Sequence, residues 1–373
     1  MSPTIRPQFR GLQALRFIAA SSVVLHHALF YAHERLDSSI VVWGIGAVQL
    51  FFTISGFLVV VATRAVQSRP DGWKYFLVRR GIRIFPMYWI ATTVKLLALL
   101  MAPAVVLHAE LNWGNVALSY FLLPSVNIDG TVAPLLGVAW TLLYESFFAL
   151  IFGVALFFRW RPVFVTGALL SIFALASEIR PHPFPPLMVY FDPVLLYYLL
   201  GIVIGSFTKN RNLWKFLAGM AWVYALQLIT QFGQIEMLIR IAVITALMLG
   251  VVLFETWLET RIPRFFVSLG DASYSLYLFH PLIAPAVPTV LAILGLKNGW
   301  LSVIGSMAVA ITFSVIVFRL VERPITGYLQ RNLKYGAAPA RLPVEAEAKH
   351  ARPQLRSDAQ GSRTSPQPDS PAA

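Results

Sequence analysis

Long apolar runs separated by short polar segments make up most of the chain from about residue 10 to about residue 331. A run of about 20 apolar residues is long enough to cross the hydrocarbon core of a bilayer as an α-helix. The pattern therefore predicts an all-α, polytopic membrane bundle of about ten helices. Their expected bounds are 12–31, 43–62, 82–102, 134–158, 162–179, 190–207, 214–231, 237–255, 274–295 and 301–321.

Two stretches depart from this pattern. Residues 115–123 are apolar but too short to span a bilayer, so we expect a re-entrant or interfacial segment there. Residues 332–373 are rich in Pro, Ala, Ser, Gln and Arg and lack apolar periodicity, which predicts a disordered, basic cytoplasmic tail. The expected organisation is a transmembrane domain at 1–331 followed by that tail at 332–373.

Composition and charge support this interpretation. Of the 373 residues, 57% are hydrophobic and 13% are charged, whereas soluble domains carry about 25% charged residues. The net charge is +13. Basic residues concentrate in alternate connections, which hold Arg6, Arg10, Arg64, Arg69, Lys74, Arg79, Arg80, Arg159, Arg161, Lys209, Arg211, Lys215, Arg261 and Arg264. Because cytoplasmic loops carry the excess of Lys and Arg, both termini are predicted to be cytoplasmic, and no nucleic-acid partner is expected.

The sequence contains no cysteine. Disulfide bonds, thiolate metal sites and a catalytic cysteine are therefore excluded. Candidate chemistry must come from histidine, arginine, acidic and hydroxyl side chains, and we expect no metal site.

The first span contains two ionisable residues, Arg16 and His27, which are 11 residues apart. In an α-helix this spacing places them within about 20° in azimuth and about 16 Å apart along the axis, on one stripe. Ionisable residues inside a span are costly and normally face the bundle interior. One interpretation is that Arg16 reaches the headgroups and His27 is a hydrogen-bonded core histidine. The other is that His27 acts as a general base.

A basic pair, Arg80 and Arg83, lies at the predicted cytoplasmic start of the third span. Residues at i and i+3 share one helix face, and paired guanidinium groups bind phosphates in a bidentate manner. The alternative is that these arginines simply flank a cytoplasmic helix end, as basic residues commonly do.

Glu145 lies near the middle of the fourth predicted span. A carboxylate at that depth is a functional candidate by default. The alternatives are an ion pair with Arg16 or a protonated, hydrogen-bonded acid. Elsewhere, Ser55–Gly56 favours close helix packing, His280 falls mid-span, and Glu322 and Arg323 are most simply interfacial.

Six motifs occur in a characteristic order along the chain. They are LQALRFIAASSVVLHH, GAVQLFFTISGFLV, FLVRRGIRIFPMYW, AWTLLYESFF, LGDASYSLYLFHP and VERPI. This series resembles the membrane-bound acyltransferase 3 family over roughly residues 10–325. The chain looks like members that lack an attached hydrolase-like domain and acylate exopolysaccharides or lipopolysaccharide O-antigens. The resemblance implies a multi-pass protein of the bacterial inner (cell) membrane.

The resemblance also implies residue roles. The family's first-helix Arg and His match Arg16 and His27, and its R-x-x-R motif, implicated in handling acyl-CoA, matches Arg80 and Arg83. The family's two-acid motif matches Glu145, but its second acid is Ser146 here, which places any two-acid role in doubt. The acid of the family's L-D-G-L-R motif is likewise missing from the sequence Leu12-Gln13-Ala14-Leu15-Arg16.

The implied reaction moves an acyl group, expected to be acetyl, from acyl-CoA to a hydroxyl of an exopolysaccharide, a lipopolysaccharide or a lipid-linked sugar. Arg80 and Arg83 would hold the CoA phosphates, His27 would take the hydroxyl proton, and Glu145 or Arg16 would position His27 or the substrate. Acyl-CoA is a donor substrate, and no tightly bound cofactor is expected. The base and the donor site are predicted at different depths of the bilayer.

Two alternatives remain from the residues alone. One is a secondary transporter or flippase that uses Arg16, His27 and Glu145 as a proton relay. The other is a structural subunit of a polysaccharide export complex, in which replacing His27 would have no effect.

Overall fold

A computed structural model describes residues 9–332 except 45, 64, 65, 68, 104, 105, 107 and 108, and it leaves the side chains of 209 and 210 undescribed. The predicted tail, beyond residue 332, lies outside the described residues, as do Arg6 and Arg64. The helices are α1 (Arg10–Arg35), α2 (Ala47–Thr63), α3 (Gly72–Met101), α4 (Trp113–Tyr120), α5 (Trp140–Phe157), α6 (Pro162–Leu175), α7 (Leu195–Asn210), α8 (Leu213–Thr230), α9 (Ile235–Leu253), α10 (Glu255–Arg261), α11 (Arg264–Asp271), α12 (Ser273–Ile283), α13 (Ala286–Ile293), α14 (Gly299–Val317) and α15 (Arg323–Arg331).

The helical membrane bundle predicted from hydropathy is confirmed. Within the described residues, nine helical segments are long and apolar enough to cross a membrane, and α2 adds a shorter apolar helix of 17 residues. The ninth expected span is divided between α12 and α13. The last span continues beyond α14 through a π-helical turn, Phe318–Glu322, into α15. The short apolar segment expected at 115–123 is largely the helix α4.

The third span begins earlier than predicted. Its helix starts at Gly72 rather than near residue 82, because three arginines lower the hydropathy there while arginine is a good helix former. Arg80 and Arg83 are therefore eight and eleven residues into α3, about 12 Å and 16 Å from its first residue. Because α3 has 30 residues, more than a bilayer core requires, the position of the two arginines at the cytoplasmic edge of the span stays a prediction.

Contacts between helix ends show how the connections are distributed. The Arg10 Nη1 group donates to the Glu259 carbonyl oxygen at 2.6 Å, and the rings of Trp73 and Phe157 lie 5.1 Å apart. Arg16 of α1 and Arg83 of α3, each in the first half of its helix, line one cavity. The starts of α1 and α3 and the end of α5 therefore lie at one end of the bundle. We call it the basic end, because its connections contain Arg69, Arg159, Arg161, Arg211 and Arg261. The other end is called the opposite end; which of the two faces the cytoplasm stays a prediction.

Two glycines allow α2 and α7 to touch backbone to backbone. A Cβ atom on Gly56 would lie 2.2 Å from the Tyr198 carbonyl oxygen, and one on Gly201 would lie 2.1 Å from the Thr53 carbonyl oxygen. Both distances are far inside van der Waals contact, so neither position accepts a side chain without a backbone shift. The packing role predicted for Ser55–Gly56 is confirmed, and it holds Ser55 against the interior of the bundle.

Candidate functional site

An ion pair joins α3 and α5 inside the bundle. The Arg80 Nη1 atom lies 2.5 Å from the Glu145 Oε1 atom, and the two side chains are only 13% and 18% exposed. The Ser55 hydroxyl of α2 donates to the same carboxylate oxygen at 3.5 Å. A buried charge requires a partner, and the partner of Glu145 is Arg80 rather than Arg16.

A small cavity beside this pair, which we call the central cavity, brings together three of the predicted site residues. Arg16, Arg83 and Glu145 line it, with Ser55, Thr141 and Tyr277 among the other side chains. Glu145 is paired with Arg80, and the positive charges of Arg16 and Arg83 interact with the negative charge of Glu322. The cavity volume of about 50 Å³ is below the roughly 300–1,000 Å³ of typical ligand sites. The lining side chains would therefore have to move before a substrate group could enter.

The side chain of Arg16 is held by a neutral partner. Its Nη1 group donates to the Gln13 side-chain oxygen at 3.0 Å, one helical turn earlier. Gln13 stands where the related motif has an acid, so this contact itself is with a neutral group. The negative charges of Glu322, Asp271 and Glu145 act on the Arg16 guanidinium charge. The position of Arg16, about 9 Å along α1 from Arg10, places that charge in the same layer as Arg83.

His27 lies about 26 Å along α1 from Arg10 and contacts a second histidine. Its Nδ1 atom is 3.0 Å from the Val23 carbonyl oxygen and 3.1 Å from Nε2 of His280. His280 is fully buried, and its Nδ1 atom lies 3.1 Å from the Leu276 carbonyl oxygen. The two rings, with centroids 4.9 Å apart, form a histidine pair between α1 and α12.

The acceptors around this pair define its tautomers. A carbonyl oxygen only accepts hydrogen bonds, so Nδ1 of His280 carries the proton and Nε2 of His280 presents a lone pair. Nδ1 of His27 then faces two acceptors and donates to them. Neutral His27 therefore keeps the lone pair of its Nε2 atom, the arrangement that a general base needs.

Small residues bring the two histidine helices together. On α1, the side chain of Ala20 is completely buried in a cluster that includes Leu276 of α12, and such residues let membrane helices approach closely. On α12, every residue from Ser273 to His280 is buried. The chain just beyond α12 is fixed to α14, where the Ser306 hydroxyl donates to the Ala284 carbonyl oxygen at 3.0 Å.

Two cavities of about 450 Å³ each meet at His27. The first, which we call the Lys95 cavity, is also lined by Tyr31, Arg35, Lys95 and Thr289. The second, called the Arg240 cavity, is also lined by His26, Gln49, Glu236 and Arg240. Trp140 lines both. His27 thus faces two ligand-sized spaces.

Tyr277 lies between the central cavity and the histidine pair. Its hydroxyl donates to the Val138 carbonyl oxygen at 2.6 Å and lies 2.8 Å from the Thr141 hydroxyl. The Tyr277 ring centroid is 6.2 Å from that of His280, and Tyr277 also lines the central cavity. Tyr277 therefore lies between the residues of the central cavity and the histidine pair, while Val48 lines both the central cavity and the Arg240 cavity. The donor and base levels stay a prediction.

The structure groups the predicted site residues in two places. Arg16, Arg83 and Glu145 share the central cavity and Arg80 joins them through its ion pair, whereas His27 lies apart. Among the described residues, the side chains hydrogen-bonded to His27 include neither Arg16 nor Glu145; its partner is His280, which was not among the predicted site residues. The signal was present, since His280 is a polar residue within the apolar run SLYLFHP.

Glu322 lies at the end of the π-helical turn that follows α14. Its Oε2 atom accepts a hydrogen bond from the Ser275 hydroxyl at 2.5 Å, which ties that turn to α12. Its interfacial position stays a prediction.

Comparison with known proteins gives the chain a family. The acyltransferase-domain family profile, Acyl_transf_3, matches residues 9–319. Exopolysaccharide production protein ExoZ of Rhizobium meliloti (strain 1021) is 29% identical over 311 residues, covering 80% of this chain and 94% of the relative. Nodulation protein 10 of Rhizobium leguminosarum bv. viciae is 25% identical over 351 residues, covering 83% and 91%. No solved structure matches the chain.

Proposed function

Because this chain belongs to the acyltransferase 3 family of membrane acyltransferases, we propose that it moves an acyl group, expected to be acetyl, from acyl-CoA to a hydroxyl of a cell-surface or exported polysaccharide. The relative named for exopolysaccharide production supports the polysaccharide acceptor, since it aligns over nearly its whole length. The inner (cell) membrane is the proposed location, where a cytoplasmic thioester and a glycan being exported can both be reached.

The observation that carries this proposal is the arrangement of His27. Its Nδ1 atom is committed to Val23 and His280, and the side chain borders two ligand-sized cavities. The free Nε2 lone pair takes the proton of the attacking sugar hydroxyl. The hydroxyl oxygen bonds to the thioester carbonyl carbon, the C–S bond breaks, and the CoA thiolate recovers the proton from His27. General-base assistance of this kind contributes about 10²–10⁴-fold.

We assign the donor to the central cavity, on the other side of Tyr277 from the histidine pair. Arg83 and Arg16 present positive charge to the central cavity, and Arg80 is oriented by Glu145. Guanidinium groups suit the phosphates and the polarised carbonyl of an acyl-CoA. The acyl end of the donor must then pass Tyr277 to reach the level of His27.

The test is the His27→Ala variant, purified and supplied with acetyl-CoA and a glycan acceptor. We expect wild-type protein to release free CoA, and we expect His27→Ala to release it at a rate at least about 100-fold lower. The matched control is His33→Ala, which removes a histidine of the same helix that also bonds a backbone carbonyl and lines none of the three cavities. Equal CoA release by His27→Ala and wild type would remove His27 as the base.

The rival function is a transporter or flippase that uses Arg16, His27 and Glu145 as a relay. Separate cavities, one lined by Arg16 and Glu145 and another by His27, are the observation in its favour. Absence of CoA release from wild-type protein with both substrates, together with acceptor movement across a vesicle membrane, would decide for it.

A further inference from the structure

The Arg240 cavity is lined by many side chains that form hydrogen bonds. Trp140 adds an aromatic ring, and the polar side chains of the lining include Ser22, His26, Gln49, Glu236 and Arg240. Hydroxyl, imidazole, amide, carboxylate and guanidinium groups together supply both donors and acceptors. Because each hydroxyl of a sugar also donates and accepts, this lining suits a hydroxyl-rich ligand, and the volume of about 450 Å³ lies within the range of ligand sites.

The acidic and guanidinium charges of this lining are matched within it. Nη2 of Arg240 lies 2.5 Å from Oε1 of Glu236, one helical turn away on α9, and both side chains line the cavity. A charged ligand would have to compete with this ion pair for one of its partners. A neutral hydroxyl can bond to either partner while the pair stays formed, so the lining favours a neutral ligand.

The Arg240 side chain is held against the start of α2. In the amide orientation that satisfies both of its polar atoms, Gln49 donates from Nε2 to the Gly46 carbonyl oxygen at 2.7 Å and accepts at Oε1 from Nη1 of Arg240 at 3.3 Å. Gly46 has a φ of +67°, and a Cβ atom there would lie 2.5 Å from Cδ of Arg240. Gln49, Arg240 and Glu236 thus form one connected polar group that is ordered before a ligand binds, which lowers the entropic cost of binding.

The Arg240 cavity extends from His27 to the surface at the opposite end. Glu236 lies in the first turn of α9, and its side chain is 77% exposed. The other end of α9 is followed by α10, where the Glu259 carbonyl oxygen accepts from Arg10 at the basic end. A ligand that enters beside Glu236 therefore approaches His27 from the end of the bundle that is away from the central cavity.

The Lys95 cavity, the other space at His27, has a mostly apolar lining that includes Phe30, Leu135 and Leu282. A hydroxyl-rich ring gives up hydrogen bonds to water when it enters such a space and regains few of them from the lining. Of the two ligand-sized spaces beside His27, the Arg240 cavity therefore suits a sugar better.

We propose that the Arg240 cavity is the acceptor site. It binds a neutral sugar unit of the polysaccharide through Gln49 and the Glu236–Arg240 pair while the hydroxyl to be acylated faces His27. This inference rests on the proposed acyl transfer for the identity of the ligand as acceptor. It adds the cavity that the acceptor occupies, the class of the bound sugar unit and three specificity residues.

Because the chain contains no cysteine, a single reporter thiol can be placed in each cavity. Ser22→Cys places it in the Arg240 cavity and Ala98→Cys places it in the Lys95 cavity. Each purified full-length variant is labelled with a methanethiosulfonate reagent, with and without oligosaccharides. The oligosaccharides are cut from the deacylated surface polysaccharide of the producing cells and separated into neutral and acidic fractions by anion exchange.

We expect the neutral fraction to protect the thiol in the Arg240 cavity. At about ten times its half-saturating concentration it should slow the labelling of Ser22→Cys about tenfold, because only the unoccupied protein reacts. Labelling of Ala98→Cys should change little. Protection of Ala98→Cys instead of Ser22→Cys, protection by the acidic fraction alone, or no protection by either fraction overturns the proposal. If Ser22→Cys does not fold, Ala47→Cys places the thiol in the same cavity.

Replacing Gln49 tests the polar group itself. Gln49→Leu removes the amide at similar size and should raise the KM for the acceptor by about tenfold, with the KM for acyl-CoA unchanged. The matched control is Gln234→Leu, which removes an exposed amide just before α9 that lines none of the three cavities. Equal acceptor KM values for the two variants would remove Gln49 from the acceptor site.

Protection and turnover separate the two hypotheses. If the neutral oligosaccharides protect Ser22→Cys but wild-type protein releases no CoA in the assay above, the sugar site is kept and the proposed transfer is rejected. If wild-type protein releases CoA with the same oligosaccharides but neither reporter in the Arg240 cavity is protected, the transfer is kept and this acceptor site is rejected.

Discussion

The Nε2 atom of His280 lies 3.1 Å from the Nδ1 atom of His27, although the two residues are 253 positions apart in the chain. His280 is fully buried and is itself oriented by the Leu276 carbonyl oxygen. Because His280 is fully buried and is not among the residues that line the two cavities at His27, it acts on a substrate there only through His27. It selects the tautomer in which His27 donates from Nδ1 and keeps Nε2 for a proton in transfer.

Replacing His280 should therefore lower turnover more than it lowers substrate binding. We expect His280→Ala to reduce kcat by roughly 10–100-fold, as loss of an orienting partner commonly does, with the KM for acyl-CoA unchanged. His280→Gln, which offers Nδ1 of His27 a carbonyl acceptor, should recover part of the loss. Steady-state CoA release measures both constants. A parallel rise in KM, or no recovery with glutamine, would indicate that His280 only fills space.

The arginines of α3 should differ in their effect on the donor. Arg83 lines the central cavity, whereas Arg79 donates to the Tyr75 hydroxyl at 2.5 Å and lies over the Tyr75 ring. Arg83→Gln should raise the KM for acyl-CoA by roughly 10-fold or more, because one charge-assisted contact is lost. Arg79→Gln serves as the matched control and should change the KM for acyl-CoA little. Similar KM values for both variants would remove Arg83 from the donor site.

The ion pair between Arg80 and Glu145 should contribute to stability as a unit. Removing one partner of a buried pair leaves an uncompensated charge, which costs about 3–5 kcal/mol. We expect Arg80→Gln and Glu145→Gln each to lower the melting temperature in detergent. The double variant should recover part of the loss, because no single charge remains buried.

The double variant also separates stability from function. It should remain weak in acyl-CoA binding, since no guanidinium stands at position 80. Thermal unfolding followed by size-exclusion chromatography, with acyl-CoA titration of the surviving protein, measures both properties. If the melting temperature of the double variant falls by the sum of the two single-variant decreases, the residues do not interact as the structure indicates.

The contact between α2 and α7 should tolerate no added side chain. Gly56→Ala would place a methyl group against the Tyr198 carbonyl oxygen, and overpacking of this kind typically costs about 1–3 kcal/mol. The matched control is Gly250→Ala in α9, where nothing lies within 4 Å of the added atom. We expect a lower melting temperature for Gly56→Ala and no loss for Gly250→Ala. Equal melting temperatures would contradict the close approach of the two helices.

Much of the fold could be predicted because a bilayer imposes a simple length and polarity rule on each span separately. Apolar runs near 20 residues identified the spans from local composition alone. At the start of α3 the rule placed the span near residue 82, whereas the helix begins at Gly72. Hydropathy also treats Arg80 only as an unfavourable residue, because the partner that lets it be buried, Glu145, is on another helix.

The sequence by itself determined the helical membrane class, the family motifs, and the stripe that Arg16 and His27 share, because each depends on local composition or on the period of one helix. Only the tertiary structure decided the partners. It paired Glu145 with Arg80 and His27 with His280, and it placed Arg35 beside Lys95 in one cavity. Those contacts join residues far apart in the chain, so they depend on how whole helices pack, and no local pattern specifies that packing.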